Sequence, residues 1–241
     1  MEIIIRKNKI TYEDQGKGLP IVFLPGINGK NSIWEKQIDT LSMSHRVITV
    51  DLSEINNSSI NIHELIKILD EFFKELKLEY FFLCGYSVGG LLALCYGNRH
   101  PENICGISTT SVGNISASTN EVVKFYMKNF RPAKSFWKLL IDKILGKRDP
   151  LFGVAFRFAS LIKYHTILQE YSKLPHPLLL INGEFDHLSS HSICQTIYSN
   201  RESNIIQLEI LEQSRKDCFN TNPNEYNEIL KDFIKTTTTP K

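Results

Sequence analysis

No run of this 241-residue chain is apolar for long enough to cross a bilayer, which takes about 20 consecutive apolar residues. No arginine-rich arm or aromatic-basic motif occurs, and a net charge of +2 is too near neutral to point to nucleic acid. The five cysteines (Cys84, Cys95, Cys105, Cys194 and Cys218) are odd in number and form no C-x-x-C pair. That usage argues against a disulfide framework or a zinc site and for reduced core thiols. Met1–Arg6 reads as a short strand and not as a secretory leader, so the expected location is the cytoplasm. No His/Cys/Asp cluster has metal-ligand spacing, and Gly85–Gly90 lacks the lysine of a phosphate loop, so no cofactor or metal is expected. Histidine is absent after His191, and that absence bears on the chemistry below.

What is present is an ordinary globular composition, 42% hydrophobic and 22% charged, at a length that suits one domain with room for an insertion. Glu2–Arg6 and Lys9–Glu13 read as an opening hairpin. Short β-branched runs at Pro20–Leu24, Arg46–Asp51, Tyr80–Cys84, Asn103–Ser108, Pro177–Ile181 and Asn204–Ile210 read as buried parallel strands. Helical patterns fall between them. The clearest is Asn61–Leu78, with Ile62, Leu65, Ile66, Leu69, Phe72, Phe73 and Leu76 on one face and a capping-box pair at Asn61 and Glu64. Pro223–Ile234 forms a last amphipathic helix, and Thr236–Lys241 is expected to fray. The alternation predicts an α/β protein, a mostly parallel sheet with helices on both faces.

From about residue 112 to 173 the alternation stops in favour of a helical, aromatic stretch, expected to be an inserted cap between the core segments 1–111 and 174–241. Ten basic residues stand against four acidic ones between Glu121 and Glu170. A solvated helix face accounts for that excess; the functional alternative is a cap that attracts anionic or amphipathic acyl substrates. Phe125, Trp137 and Phe156 are among the aromatics that would fill the cap core or line a pocket beneath it.

The most specific motif is Gly85-Tyr86-Ser87-Val88-Gly89, between the strand Phe81–Cys84 and the apolar helical run from Leu91. A G-x-S-x-G segment between strand and helix forms a nucleophile elbow, whose small residues let the chain bend and hold the serine hydroxyl above the sheet. In this motif and its context the chain resembles the α/β-hydrolase superfamily, in its compact form with a helical cap, over nearly its whole length. The resemblance implies that Ser87 is the nucleophile. It implies an oxyanion hole from the backbone N–H of Val88 and a second N–H at Ile27, in Leu24-Pro25-Gly26-Ile27-Asn28-Gly29. It also implies that Asp186, ending Gly183-Glu184-Phe185-Asp186, is the acid. His187 is adjacent, but neighbouring side chains in a loop point apart.

The chain departs from the family at the base. Registered on Pro223, Arg215-Lys216 occupies the family's Gly-His position, so Lys216 stands where the catalytic histidine is expected. A lysine acts as base only when neutral near pH 7, far below its usual ~10.4; burial pushes that way, and a facing carboxylate holds the proton on. A Ser-His-Asp site without its base loses roughly 10⁴–10⁶ in rate. Three alternatives stay open: a histidine such as His165 or His191 reaching Ser87, Lys216 acting as base in a Ser-Lys pair, or a lysine introduced to disable or redirect the site. Two further departures are Pro25-Gly26 in place of His-Gly and a glycine-free loop, Asp51–Ser59, where the family has a glycine-rich one. The expected function is a serine esterase or thioesterase acting on a small acyl substrate. The second reading is a hydrolase-like ligand-binding or regulatory protein, and a weaker third is a lyase that uses the lysine to hold a substrate charge.

Overall fold

The computed structural model of the chain describes residues 1–26, 29–55, 62–112, 171, 173–186, 189, 195, 198–199 and 206–238. Eight strands form one sheet in the order β1-β2-β4-β3-β5-β6-β7-β8. They are β1 (Glu2–Ile5), β2 (Asn8–Gln15), β3 (Pro20–Leu24), β4 (Arg46–Asp51), β5 (Phe81–Tyr86), β6 (Ile104–Thr110), β7 (Leu178–Gly183) and β8 (Ile206–Leu211). β1 pairs antiparallel with β2, and β2 antiparallel with β4; every pairing from β4 to β8 is parallel. The opening hairpin turns on Arg6 and Lys7, both at positive φ (49° and 65°), as a two-residue turn matched to strand twist requires. Asn8 holds the turn through its amide, which donates to the carbonyl oxygens of Ile5 and Arg6.

Side chains alternate between the two faces of the sheet because strand geometry has a period of two. Val22, Leu24, Leu83 and Leu180 join the core on one face; Ile21, Phe23, Phe82, Cys84 and Ile181 join the core on the other. Helices α2 (Ile62–Glu75) and α3 (Val88–Arg99) cover the first face. Helix α1 (Glu35–Leu41), the single turn α4 (Cys218–Thr221) and helix α5 (Pro223–Thr238) cover the second. In α2 the apolar stripe read from the sequence is the buried face: Leu65, Ile66, Leu69, Phe72 and Phe73 are all within the core. Phe73 meets Phe81 and Tyr96 edge-on, with centroids 4.9 and 5.0 Å away. Each such side chain, fully buried, contributes on the order of 1.5–3 kcal/mol.

Several boundaries differ from the sequence reading. β5 and β6 each run two residues further, to Tyr86 and Thr110, carrying polar residues to the edge where the site lies. β8 is half-exposed from Ile206 to Ile210 and not buried, because it is the last strand and has a neighbour on one side only. The helix after the elbow starts at Val88, ahead of the apolar run from Leu91. The expected frayed tail is helical through Thr238, where threonine hydroxyls back-bond to carbonyls four residues earlier, Thr236 to Asp232 and Thr238 to Ile234. Asn61 of the capping box, nearly all of the stretch 112–173 expected to be a cap, and Cys194 lie outside the described residues. No helix among the described residues is long and apolar enough to cross a membrane.

Candidate active site

In a parallel sheet all strands end at one edge, and the loops beyond those ends face one crevice. Here the ends of β3, β5, β6, β7 and β8 bring Gly26, Ser87, Ser111, Asp186 and Lys216 to a common edge. Ser87 follows β5 and precedes α3 with φ 53° and ψ −115°. A non-glycine residue in that region is strained, and the turn aims its side chain away from the sheet. Three main-chain bonds hold it: its N–H donates to the Thr110 carbonyl (2.8 Å), and its carbonyl accepts from Gly90 (3.0 Å) and Leu91 (3.2 Å).

The glycines around Ser87 are required by contact. A Cβ on Gly85 would lie 2.3 Å from the Gly89 carbonyl carbon, and one on Gly89 would lie 2.4 Å from the Pro25 oxygen. The elbow therefore packs directly on the loop that opens after β3. That loop is itself tied back: Gly29 donates to the Gly26 carbonyl (2.9 Å), and Leu52 donates to the Gly29 carbonyl (2.7 Å). Val88 is the first residue of α3, so its N–H is among those that have no acceptor within the helix. Ile27, the expected second oxyanion donor, lies outside the described residues.

Asp186 is buried. Its Oδ1 accepts from the Ser189 N–H (3.2 Å), and its Oδ2 accepts from the Ser111 hydroxyl. The Asp186 and Lys216 loops are laced together by the main chain. Phe185 donates to the Ser214 carbonyl (2.8 Å), Glu184 donates to the Leu211 carbonyl (2.9 Å), and Gln213 donates to the Glu184 carboxylate (2.8 Å). Gly183 leaves the necessary space, since a Cβ there would stand 2.2 Å from the Arg215 oxygen. Lys216 is half-buried and joins the group through its carbonyl, which lies 2.8 Å from Ser111 Oγ. Two residues on, Cys218 is fully buried; burial pushes its thiol up to about 12, and the charges of Asp186 and Asp217 act in the same direction.

The described histidines stand elsewhere. His45 and His176 precede β4 and β7, at the opposite end of the strands from Ser87. His100 caps the far end of α3, twelve residues and so about 18 Å along the helix, and His63 contacts Arg99 there. His165, His187 and His191 lie outside the described residues. The sequence reading missed Ser111 and Ser189. The run Ser108-Thr109-Thr110-Ser111, four hydroxyl residues where a buried strand ends, was the available signal for the first.

A family model described as the α/β hydrolase fold matches residues 20–135. Among solved structures, a thermophilic esterase from Thermogutta terrifontis is 16% identical over 99% of each chain, with a TM-score of 0.78. An α/β hydrolase enzyme from a Medee basin deep-sea metagenome library is 16% identical over 100% of this chain and 99% of its own, at 0.80. The enol-lactonase from Burkholderia xenovorans is 16% identical over 98% of this chain and 100% of its own, at 0.76. Family model and whole-length likenesses converge on one architecture: this chain has the α/β-hydrolase fold.

Proposed function

We propose that the protein is a serine hydrolase that cleaves a small carboxylic ester or acyl thioester by attack of Ser87. The observation that carries this reading is the backbone of Ser87, strained between β5 and α3 at the sheet edge that also bears Asp186. In this mechanism the Ser87 oxygen adds to the acyl carbonyl as its proton passes to the group in the base position, and the N–H groups of Val88 and Ile27 stabilise the oxyanion. Losing one such donor costs on the order of a hundredfold in rate or more. The C–O or C–S bond then breaks, the leaving alcohol or thiol takes that proton, and water hydrolyses the acyl-enzyme to the acid and free Ser87. Asp186 is the acid of the site and Lys216 takes the position of the base. Residues 112–173 form the cap over the acyl group, and the basic excess there suits an anionic or amphipathic substrate. The protein works in the cytoplasm with its thiols reduced.

The thermophilic esterase and the enol-lactonase described above support the hydrolase class. The lysine at 216 favours a second reading, a ligand-binding protein of hydrolase fold that turns nothing over. Steady-state hydrolysis of short and medium p-nitrophenyl acyl esters, with Ser87→Ala as control, separates the two. Turnover lost in the control supports the enzyme. Equal rates in both proteins would sink it in favour of the binder.

A further inference from the structure

The last residue of β6 and the one after it have different duties. The carbonyl of Thr110 accepts from the Ser87 N–H at 2.8 Å. The next residue, Ser111, is 2% exposed and stands at φ 52°, in the left-handed region. A glycine would meet that backbone demand without strain, so what serine adds is its hydroxyl. The hydroxyl donates to Asp186 Oδ2 and lies 2.8 Å from the Lys216 carbonyl oxygen. The bond from the Ser189 N–H to the carboxylate comes from three residues along the same loop and would travel with it. The Ser111 bond refers the Asp186 carboxylate directly to the end of the strand whose last carbonyl also holds Ser87.

We propose that Ser111 is a positioning residue of the site, the joint through which β6 keeps Asp186 and the Lys216 loop in register with Ser87. This deepens the hydrolase reading and rests on it for the kinetic part of its test. The hydroxyl carries one proton and faces two acceptors, so it donates to one of them at a time. Whichever of the two oxygens accepts that bond, the other faces a lone pair of the Ser111 Oγ, and the acid loop and the Lys216 loop are thereby coupled through one atom.

The test compares Ser111→Gly and Ser111→Ala with the native protein. Glycine suits the positive φ, so loss of function in Ser111→Gly reports on the hydroxyl and not on backbone strain. The expected result is a fall in kcat of at least tenfold on p-nitrophenyl esters, KM within twofold, and in the crystal structure of Ser111→Gly a carboxylate of Asp186 turned away from β6. An unchanged kcat, or Asp186 and the Lys216 carbonyl unmoved in that crystal, overturns the proposal. Loss of the folded state in both variants overturns it too, because a positioning residue leaves the fold intact. If the native protein shows no Ser87-dependent turnover, the hydrolase reading fails by itself and the crystal structure alone decides the role of Ser111.

Discussion

Residue 87 shows a backbone held out of its preferred region by the bonds around it. Strain of the kind seen at φ 53° typically costs about 1–3 kcal/mol, and the surrounding elbow must offset it. Ser87→Gly and Ser87→Ala both remove the hydroxyl, yet only glycine accepts the conformation freely. Urea denaturation is therefore expected to find Ser87→Gly more stable than Ser87→Ala by about 1 kcal/mol; equal stabilities would show that the elbow is not strained. Residue 216 carries the second residue-scale prediction. If Lys216 occupies the base position, Lys216→His raises the ester hydrolysis rate by about tenfold or more, a fraction of what a missing base costs. A folded Lys216→His protein with no gain would mean that the register on Pro223 misassigns this loop.

At the scale of elements, the site depends on how closely two loops approach. Gly183 closes β7 against the Ser214 and Arg215 carbonyls with no room for a methyl group. Gly183→Ala is expected to cost about 1–3 kcal/mol in chemical denaturation and to reduce turnover with it; retained stability together with retained activity would refute the contact. The same elements show what could be read in advance. Pro20–Leu24 and Arg46–Asp51 have the boundaries expected of them, because apolar, β-branched strands bounded by turns announce themselves. α2 was legible for the analogous reason, a complete apolar stripe at helical spacing. β6 runs past Ser108 through Thr109 and Thr110, whose hydroxyls are buried and face Tyr171 and Tyr226, partners that no local pattern announces. Ser111 was hidden for the same cause: its partners, Asp186 and Lys216, are 75 and 105 residues away, and no local pattern encodes them. The threonine tail misled for a different reason, since its hydroxyls satisfy the helix's own carbonyls and so extend it.

Across the whole molecule, the sheet separates two cores, and the four described thiols lie within them. Cys84, Cys95, Cys105 and Cys218 are buried; burial pushes Cys105 and Cys218 up to about 12 and Cys84 higher still. Because the thiolate is the reactive form, all four are expected to resist iodoacetamide in the native protein at pH 8 and to label completely in guanidinium. Rapid native labelling at Cys218 would mean that the helical turn after Lys216 opens to solvent. The separation of Ser87 from the described histidines also gives imidazole chemistry an address. Diethyl pyrocarbonate that carbethoxylates His45, His63 and His100 does so at the end of the molecule away from the hydroxyl nucleophile. Peptide mapping of those adducts is expected to accompany full ester turnover. Turnover lost on treatment and restored by hydroxylamine would instead trace to His165, His187 or His191, and a reagent blind to structure would have identified the proton acceptor.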